Sequence, residues 1–178
     1  MGDERLDDLD KYIIHSLQCD ARKTSTSTIA DHADVSASTV RHRIRKMEDA
    51  GIIDGYHPSI DYEKAGFQLH TLIVCTAQIP EREELAKRAK EVEGVVAVRE
   101  VMTGHENIHV EVVGTDGDDL RRIGQELDAL GLEIEDEDLI RDEYENPYAG
   151  FRTFDADDSD ATGESDATSE SDVTNDES

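Results

Sequence analysis

The chain has no tryptophan and few aromatics of any kind, five Tyr and three Phe in 178 residues. Its cores must therefore be built from aliphatic side chains. Proline occurs three times and cysteine twice. No Cys-x-x-Cys spacing exists, so neither a disulfide framework nor a thiolate zinc site organises the fold. Cys19 and Cys75 fall inside a helix pattern and a strand pattern, which predicts reduced, buried thiols in an intracellular protein. No apolar run approaches the ~20 residues that span a bilayer. The N-terminus MGDERLDDLDK is acidic and polar, unlike a secretory leader. These features predict a cytoplasmic protein with no membrane partner. Basic residues are the remaining shortage: 18 Lys and Arg, six of them Lys, face 44 Asp and Glu, for a net charge of −26.

Such an acid excess suits either a disordered acidic chain or a folded, halophilic protein from a cytoplasm of molar salt. Clear apolar periodicity excludes the first reading for the body of the chain. Acids spread over predicted helix surfaces favour the second.

One stretch breaks the acidic pattern. Ser36–Gly51 reads SASTVRHRIRKMEDAG, with four Lys/Arg and no acid from Ser36 to Met47. Ser36 is a good N-cap, and Gly51 suits the left-handed residue past a last turn. Val40, Ile44 and Met47 recur at helical spacing and predict a core-facing stripe. Arg41, His42, Arg43, Arg45 and Lys46 occupy the rest of the surface. A shorter helical segment over 24–33 precedes it, with a tight turn at Asp34. Helix, short turn and basic helix is the helix-turn-helix arrangement, whose second helix enters the DNA major groove. A basic helix in an ordinary protein is more often just a solvated face. Here the acid-free window favours phosphate attraction.

The remaining periodicities divide the chain. Residues 6–19 predict a first helix, with Asp7 as cap and Asp10 completing a carboxylate capping box. Ile52, Ile53 and Tyr56 predict a short wing strand. Residues 1–57 form the helix-turn-helix domain, with 8 Lys/Arg and 11 acids, and residues 58–66 form a linker. From Phe67 the pattern becomes strand over 67–79, helix over 81–93, strands over 95–103 and 108–113, helix over 116–130, and strand over 132–144. The order βαββαβ over 67–148 predicts a ferredoxin-like sheet with two helices on one face. The fold class is α+β. The uncovered sheet face, read as apolar, predicts pairing with a second copy of the chain. Residues 149–178 are read as an acidic tail. From Asp155 on there is no Lys or Arg and too little apolar surface to offset ordering entropy.

These features together resemble the Lrp/AsnC regulators. The resemblance is carried by LDDLDKYIIHSLQCDAR, SASTVRHRIRKMEDAGIIDGY, the linker DYEKAGF and the step from Val95 to Gly104 that ends V-M-T-G, and it covers roughly residues 5–145. It implies a transcription regulator binding double-stranded DNA through an AsnC-type helix-turn-helix. It also implies a RAM domain that dimerises through its sheet, with dimers often assembling into octamers. Many members bind a small effector, commonly an amino acid, near the turn after the second strand. Here that turn offers Thr103, Gly104, His105 and Asn107, with Asn107 standing where the family often has Asp. The bland reading is a plain hairpin turn in which Gly supplies positive φ.

On the basic helix, Ser36, Ser38, Thr39, His42 and Arg43 are expected to face the groove, and Arg41, Arg45 and Lys46 to meet phosphate. His105 and His109 with Glu106 and Glu111 lack tight ligand spacing and read as surface residues, so no metal site, cofactor or catalytic residue is expected. A different class shares the two-domain layout: decarboxylases acting on haem precursors, which generally lack a strongly basic third helix. Four Lys/Arg on that helix favour the regulator.

Overall fold

The computed structural model describes residues 5–154, which divide into two compact units, 5–56 with 146–154, and 57–145.

In the first unit three helices enclose a small core. Helix α1 spans Asp8–Asp20, α2 spans Thr26–His32 and α3 spans Ala37–Asp49. The capping box forms as its residues predict: Asp10 N–H donates to Asp7 Oδ1 at 2.9 Å and Asp7 N–H donates to Asp10 Oδ2 at 3.2 Å. Ser25 and Ser36 cap α2 and α3. Asp34 takes a left-handed φ of 50° in the turn between them. Ile13, Ile29, Val40 and Met47 meet in the core with Tyr12 and Ala30.

Three expectations need correction here. Residues 52–56 form no strand. The Ile52 and Ile53 amides bond back to the Met47 carbonyl, and the Tyr56 hydroxyl donates to Glu48. An isolated strand has no partner for its backbone groups, so the segment closes onto the end of α3. Cys19 is exposed, with its Sγ 3.8 Å from His15 Nε2. The tail begins later than residue 149. Residues 149–151 form a 3-10 turn, Tyr148 and Phe151 meet edge to face, and Phe154 packs on Tyr12 with ring centroids 5.0 Å apart. Aromatic rings at 148, 151 and 154 supply the apolar surface that the later residues lack. The expected acidic tail from Asp155 onward lies outside the described residues.

The second unit has strands β1 (Leu69–Thr76), β2 (Val95–Glu100), β3 (Ile108–Gly114) and β4 (Glu133–Leu139), with helices α4 (Arg82–Ala89) and α5 (Gly117–Leu130). The sheet order is β2-β3-β1-β4, antiparallel throughout. This is the βαββαβ arrangement. Ile73, Cys75, Ile108, Val110 and Val112 from the sheet meet Leu85, Ala89, Ile123 and Leu127 from the helices. Burial, and then the Glu135 and Glu137 carboxylates, push the Cys75 thiol up to about 11.

Helix α4 is shorter than its periodicity predicts. After Ala89 the amides of Glu91 and Val92 bond three residues back, which tightens the chain and tucks Val92 into the core. Gly94 completes the turn at φ 98°, and a Cβ there would meet Ile123 Cδ1 at 2.6 Å. Likewise β4 ends at Leu139, because its partner β1 begins at Leu69 and the Ile140 amide makes the last bond, to His70.

The uncovered sheet face is not continuously apolar, contrary to the alternation pattern. Leu72, Val74 and Val113 share it with an ion cluster spanning three strands. Glu111 of β3 accepts from His70 of β1 at 2.8 Å and from Arg99 of β2 at 2.9 Å. Burial works against the Glu111 charge, but the bonds from His70 and Arg99 outweigh it and hold the carboxyl below its ordinary value.

Gly94→Ala should destabilise the second unit by about 1–3 kcal/mol, since it adds both a left-handed β-carbon and a core clash. Thermal melting checks this: a lowered midpoint is expected, and an unchanged one contradicts the packing described.

Candidate nucleic-acid interface

Two N-caps and one left-handed turn position α3. Ser36 Oγ accepts from the Thr39 amide at 3.1 Å and lies 2.7 Å from Ser38 Oγ and 2.8 Å from Thr39 Oγ1. Val40 and Met47 are buried and Ile44 is half-buried, so the inner stripe is as expected. The opposite surface exposes Ser36, Ser38, Arg41, His42, Arg45 and Lys46. Three cations there lie within two turns of a helix whose first turn carries no acid. Such a surface attracts phosphate and offers hydroxyl and imidazole groups to base edges. Thr39 is half-buried and engaged at the cap.

Arg43 does not share that surface. Its guanidinium turns toward α1 and sits 2.9 Å from Asp7 Oδ2 and 3.2 Å from both oxygens of Asp10. This corrects the expectation that Arg43 faces the groove. Periodicity told core from non-core positions on α3, but the partner lies 33 residues away in sequence. Asp10 is 8% exposed, so its charge depends on that guanidinium. The Asp10 amide, and after it Arg43, holds the Asp7 carboxyl below its ordinary value.

The turn after β2 is held from within. Asn107 is fully buried. Its Oδ1 accepts from the Ala77 amide at 2.9 Å, and its Nδ2 donates to the Ala77 carbonyl at 2.9 Å and the Gly104 carbonyl at 3.4 Å. Both ends of the carboxamide are occupied in tying the turn to the end of β1. Thr103 is bonded to the His105 carbonyl. The left-handed residue is Glu106, at φ 52°, rather than Gly104. The turn exposes Gly104 and His105. Elsewhere in the same unit a cavity of about 260 Å³ has His70 and Tyr62 on its wall, with Asp61, Arg141 and Asp142 around it. No group of three His, Cys, Asp or Glu that could hold a metal occurs among the described residues. No described helix is long and apolar enough to cross a membrane.

A capped pair of helices with a basic exposed second member defines a DNA-binding helix-turn-helix module. Residues 6–54 match the winged helix-turn-helix DNA-binding family. Over 92 residues the chain is 36% identical to an HTH-type transcriptional regulator of Pyrococcus furiosus, a match covering 52% of this chain and 57% of that protein. It therefore spans little more than half the length of that relative. Over 120 residues it is 34% identical to the HTH-type transcriptional regulator LrpA of Pyrococcus horikoshii, covering 66% of this chain and 82% of LrpA. The chain belongs to the Lrp/AsnC family of transcriptional regulators. Its fold also resembles the feast or famine regulatory protein of M. tuberculosis, a structure complexed with L-methionine. The TM-score is 0.68 at 24% identity, over 80% of this chain and 96% of that one.

Arg43→Ala should cost the first unit about 1–2 kcal/mol, because it strands the Asp10 charge. The sign with pH follows from Asp7. Its depressed folded-state value means that its contribution is present above the ordinary carboxylate value of 3.8 and is lost as pH falls below it. Wild-type protein should therefore lose stability on acidification below about pH 4, and Arg43→Ala should show a smaller loss. Melting curves from about pH 3 to 7 check this; parallel curves for the two proteins contradict it.

Proposed function

We propose that this chain is a sequence-specific DNA-binding transcription regulator, not an enzyme, that reads double-stranded DNA through α3. The observation that carries this reading is the exposed face of α3. It concentrates Arg41, Arg45 and Lys46 with Ser36, Ser38 and His42, in a chain of net charge −26. Arg41, Arg45 and Lys46 take phosphate; Ser36, Ser38 and His42 reach base edges, with Thr39 supporting the cap. Arg43 acts indirectly, by orienting α3 against α1.

A single helix of this kind contributes few phosphate contacts, and two copies double them. The second unit supplies the means of pairing. Its uncovered sheet face carries Leu72, Val74 and Val113 beside the satisfied Glu111 cluster, and such a face suits an isologous contact. Higher oligomers would use a second, different contact, because an isologous face is used up by one partner. A small effector, an L-amino acid as in the methionine-bound relative, is placed at the Thr103–Asn107 turn. Gly104 and His105 present its open groups, and Asn107 fixes its shape. The acid excess suits a cytoplasm of concentrated salt, where hydrated cations accompany surface carboxylates.

The test is fluorescence anisotropy on an operator duplex selected from genomic fragments, with light scattering on the same samples. Arg45→Ala and Lys46→Ala should each weaken binding about tenfold while leaving the melting midpoint within a degree or so. Light scattering should give at least a dimer. L-Methionine should shift the operator affinity of wild type but not of His105→Ala, and the melting midpoint should rise from ~0.2 to ~2 M KCl. Unchanged affinity in both α3 variants would overturn the reading. A monomer, an effect of methionine that survives His105→Ala, or a midpoint that falls with salt would remove the corresponding part.

A further inference from the structure

The cavity in the second unit is built around His70. One wall is the turn over 61–67. There the Ala65 amide donates to the Asp61 carbonyl at 3.0 Å, the Gly66 amide to the Glu63 carbonyl at 3.0 Å and the Phe67 amide to the Tyr62 carbonyl at 2.8 Å. Gly66 takes φ 98° in closing it. The turn sets the Tyr62 ring 5.1 Å from the His70 ring, centroid to centroid. The other wall is the segment after β4, whose Ile140 amide donates to the His70 carbonyl at 2.7 Å. His70 is itself fixed by Glu111 at 2.8 Å. Both walls are therefore held by the fold, and all of these residues lie within the second unit.

The lining combines ring faces with charge. Tyr62 and Phe67 supply the faces. Four carboxylates surround them, against the single guanidinium of Arg141. Two of the four are answered locally: Asp61 by Lys64 at 2.6 Å and Asp142 by Arg141 at 3.6 Å. Lys64 acts on Glu63 only through the field, without a hydrogen bond. Among the described residues no hydrogen bond or ion pair engages the side chain of Glu63 or Glu143. Glu63 stands on the wall where the chain enters this unit, after residue 57, and Glu143 on the wall where it leaves, before 145.

A volume of about 260 Å³ suits a small metabolite, not a peptide or a nucleic acid. We propose that this cavity binds a linear aliphatic diamine, with one ammonium at Glu63, the other at Glu143 and the methylenes over Tyr62 and Phe67. An ammonium beside an aromatic face is drawn by the ring quadrupole, and the methylenes gain by leaving water. A bare metal ion uses neither contact. It needs about six oxygens or more, and no group of three acids or other donors that could hold a metal occurs among the described residues. A bound diamine fastens the entering segment of the unit to the leaving one. Both ion pairs lie at the surface, so each changes affinity only severalfold and the complex is millimolar.

The experiment titrates the full chain with 1,4-diaminobutane at ~0.2 M KCl and follows backbone amide signals, with 1-aminobutane and added KCl of equal ionic strength as comparisons. The diamine should shift residues 59–63 and 140–143 saturably, with a midpoint of about 1–10 mM, and leave α1, α2 and α3 in place. The monoamine should need about threefold more. Glu63→Gln combined with Glu143→Gln should raise the diamine midpoint about tenfold, while Glu145→Gln, outside the lining, should leave it unchanged. The monoamine comparison uses the unaltered chain, so it decides the matter even where the double variant misfolds. Shifts that KCl reproduces, equal midpoints for the two amines, a double variant that binds as wild type, or no saturation by ~50 mM would each overturn the proposal.

Discussion

The guanidinium of Arg43, held between Asp7 and Asp10, is the contact on which the arrangement of the first unit turns. Each partner has a second duty. Asp7 and Asp10 close the capping box that starts α1, so the same carboxylates satisfy a helix end and fix the angle of its neighbour. With Arg43 drawn inward, α3 leaves Arg41, Arg45, Lys46 and His42 outward. A helix has one set of faces, and committing one cation to the fold defines which others remain for a ligand. The return of residues 146–154 to α1 adds a third use of the same place, since Thr153 is bonded to Asp8.

The second unit follows a parallel logic with different chemistry. Its sheet is covered on one side by α4 and α5 over an aliphatic core. On the other side a glutamate, a histidine and an arginine from three adjacent strands satisfy one another. Glu111 bears the desolvation cost of its position only because both partners reach it. Asn107 does for the turn what Glu111 does for the face: a buried polar group with every bond made fixes one geometry. Removing either would leave stranded polar atoms rather than a simple void.

Much of this was legible from local patterns. The capping box at Asp7 and Asp10, the left-handed Asp34, the cap at Ser36 and the βαββαβ order all depend on residues within a few positions of each other, and all appear as the spacing predicts. The misses share a different cause. Arg43 and Asp10 are 33 residues apart, Asn107 and Ala77 are 30 apart, and Thr153 and Asp8 are 145 apart. Neither helical nor strand periodicity carries information at those separations. A signal for the third was present in the rings at 148, 151 and 154, which are out of place in an acidic tail. The wing strand failed for the complementary reason: Ile52, Ile53 and Tyr56 have strand character, but strand character without a neighbouring strand forms no ladder.

The central claim is that Arg43 and Asp10 act as one structural pair, not as a groove-facing arginine beside an unrelated acid. A double-mutant cycle on thermal or denaturant unfolding measures this directly, using Asp10→Asn, Arg43→Gln and the two combined. A coupling energy of about 1 kcal/mol or more is predicted, with the double variant more stable than the sum of the single losses allows. Additive losses, with coupling near zero, would contradict it and return Arg43 to the exposed basic surface of α3.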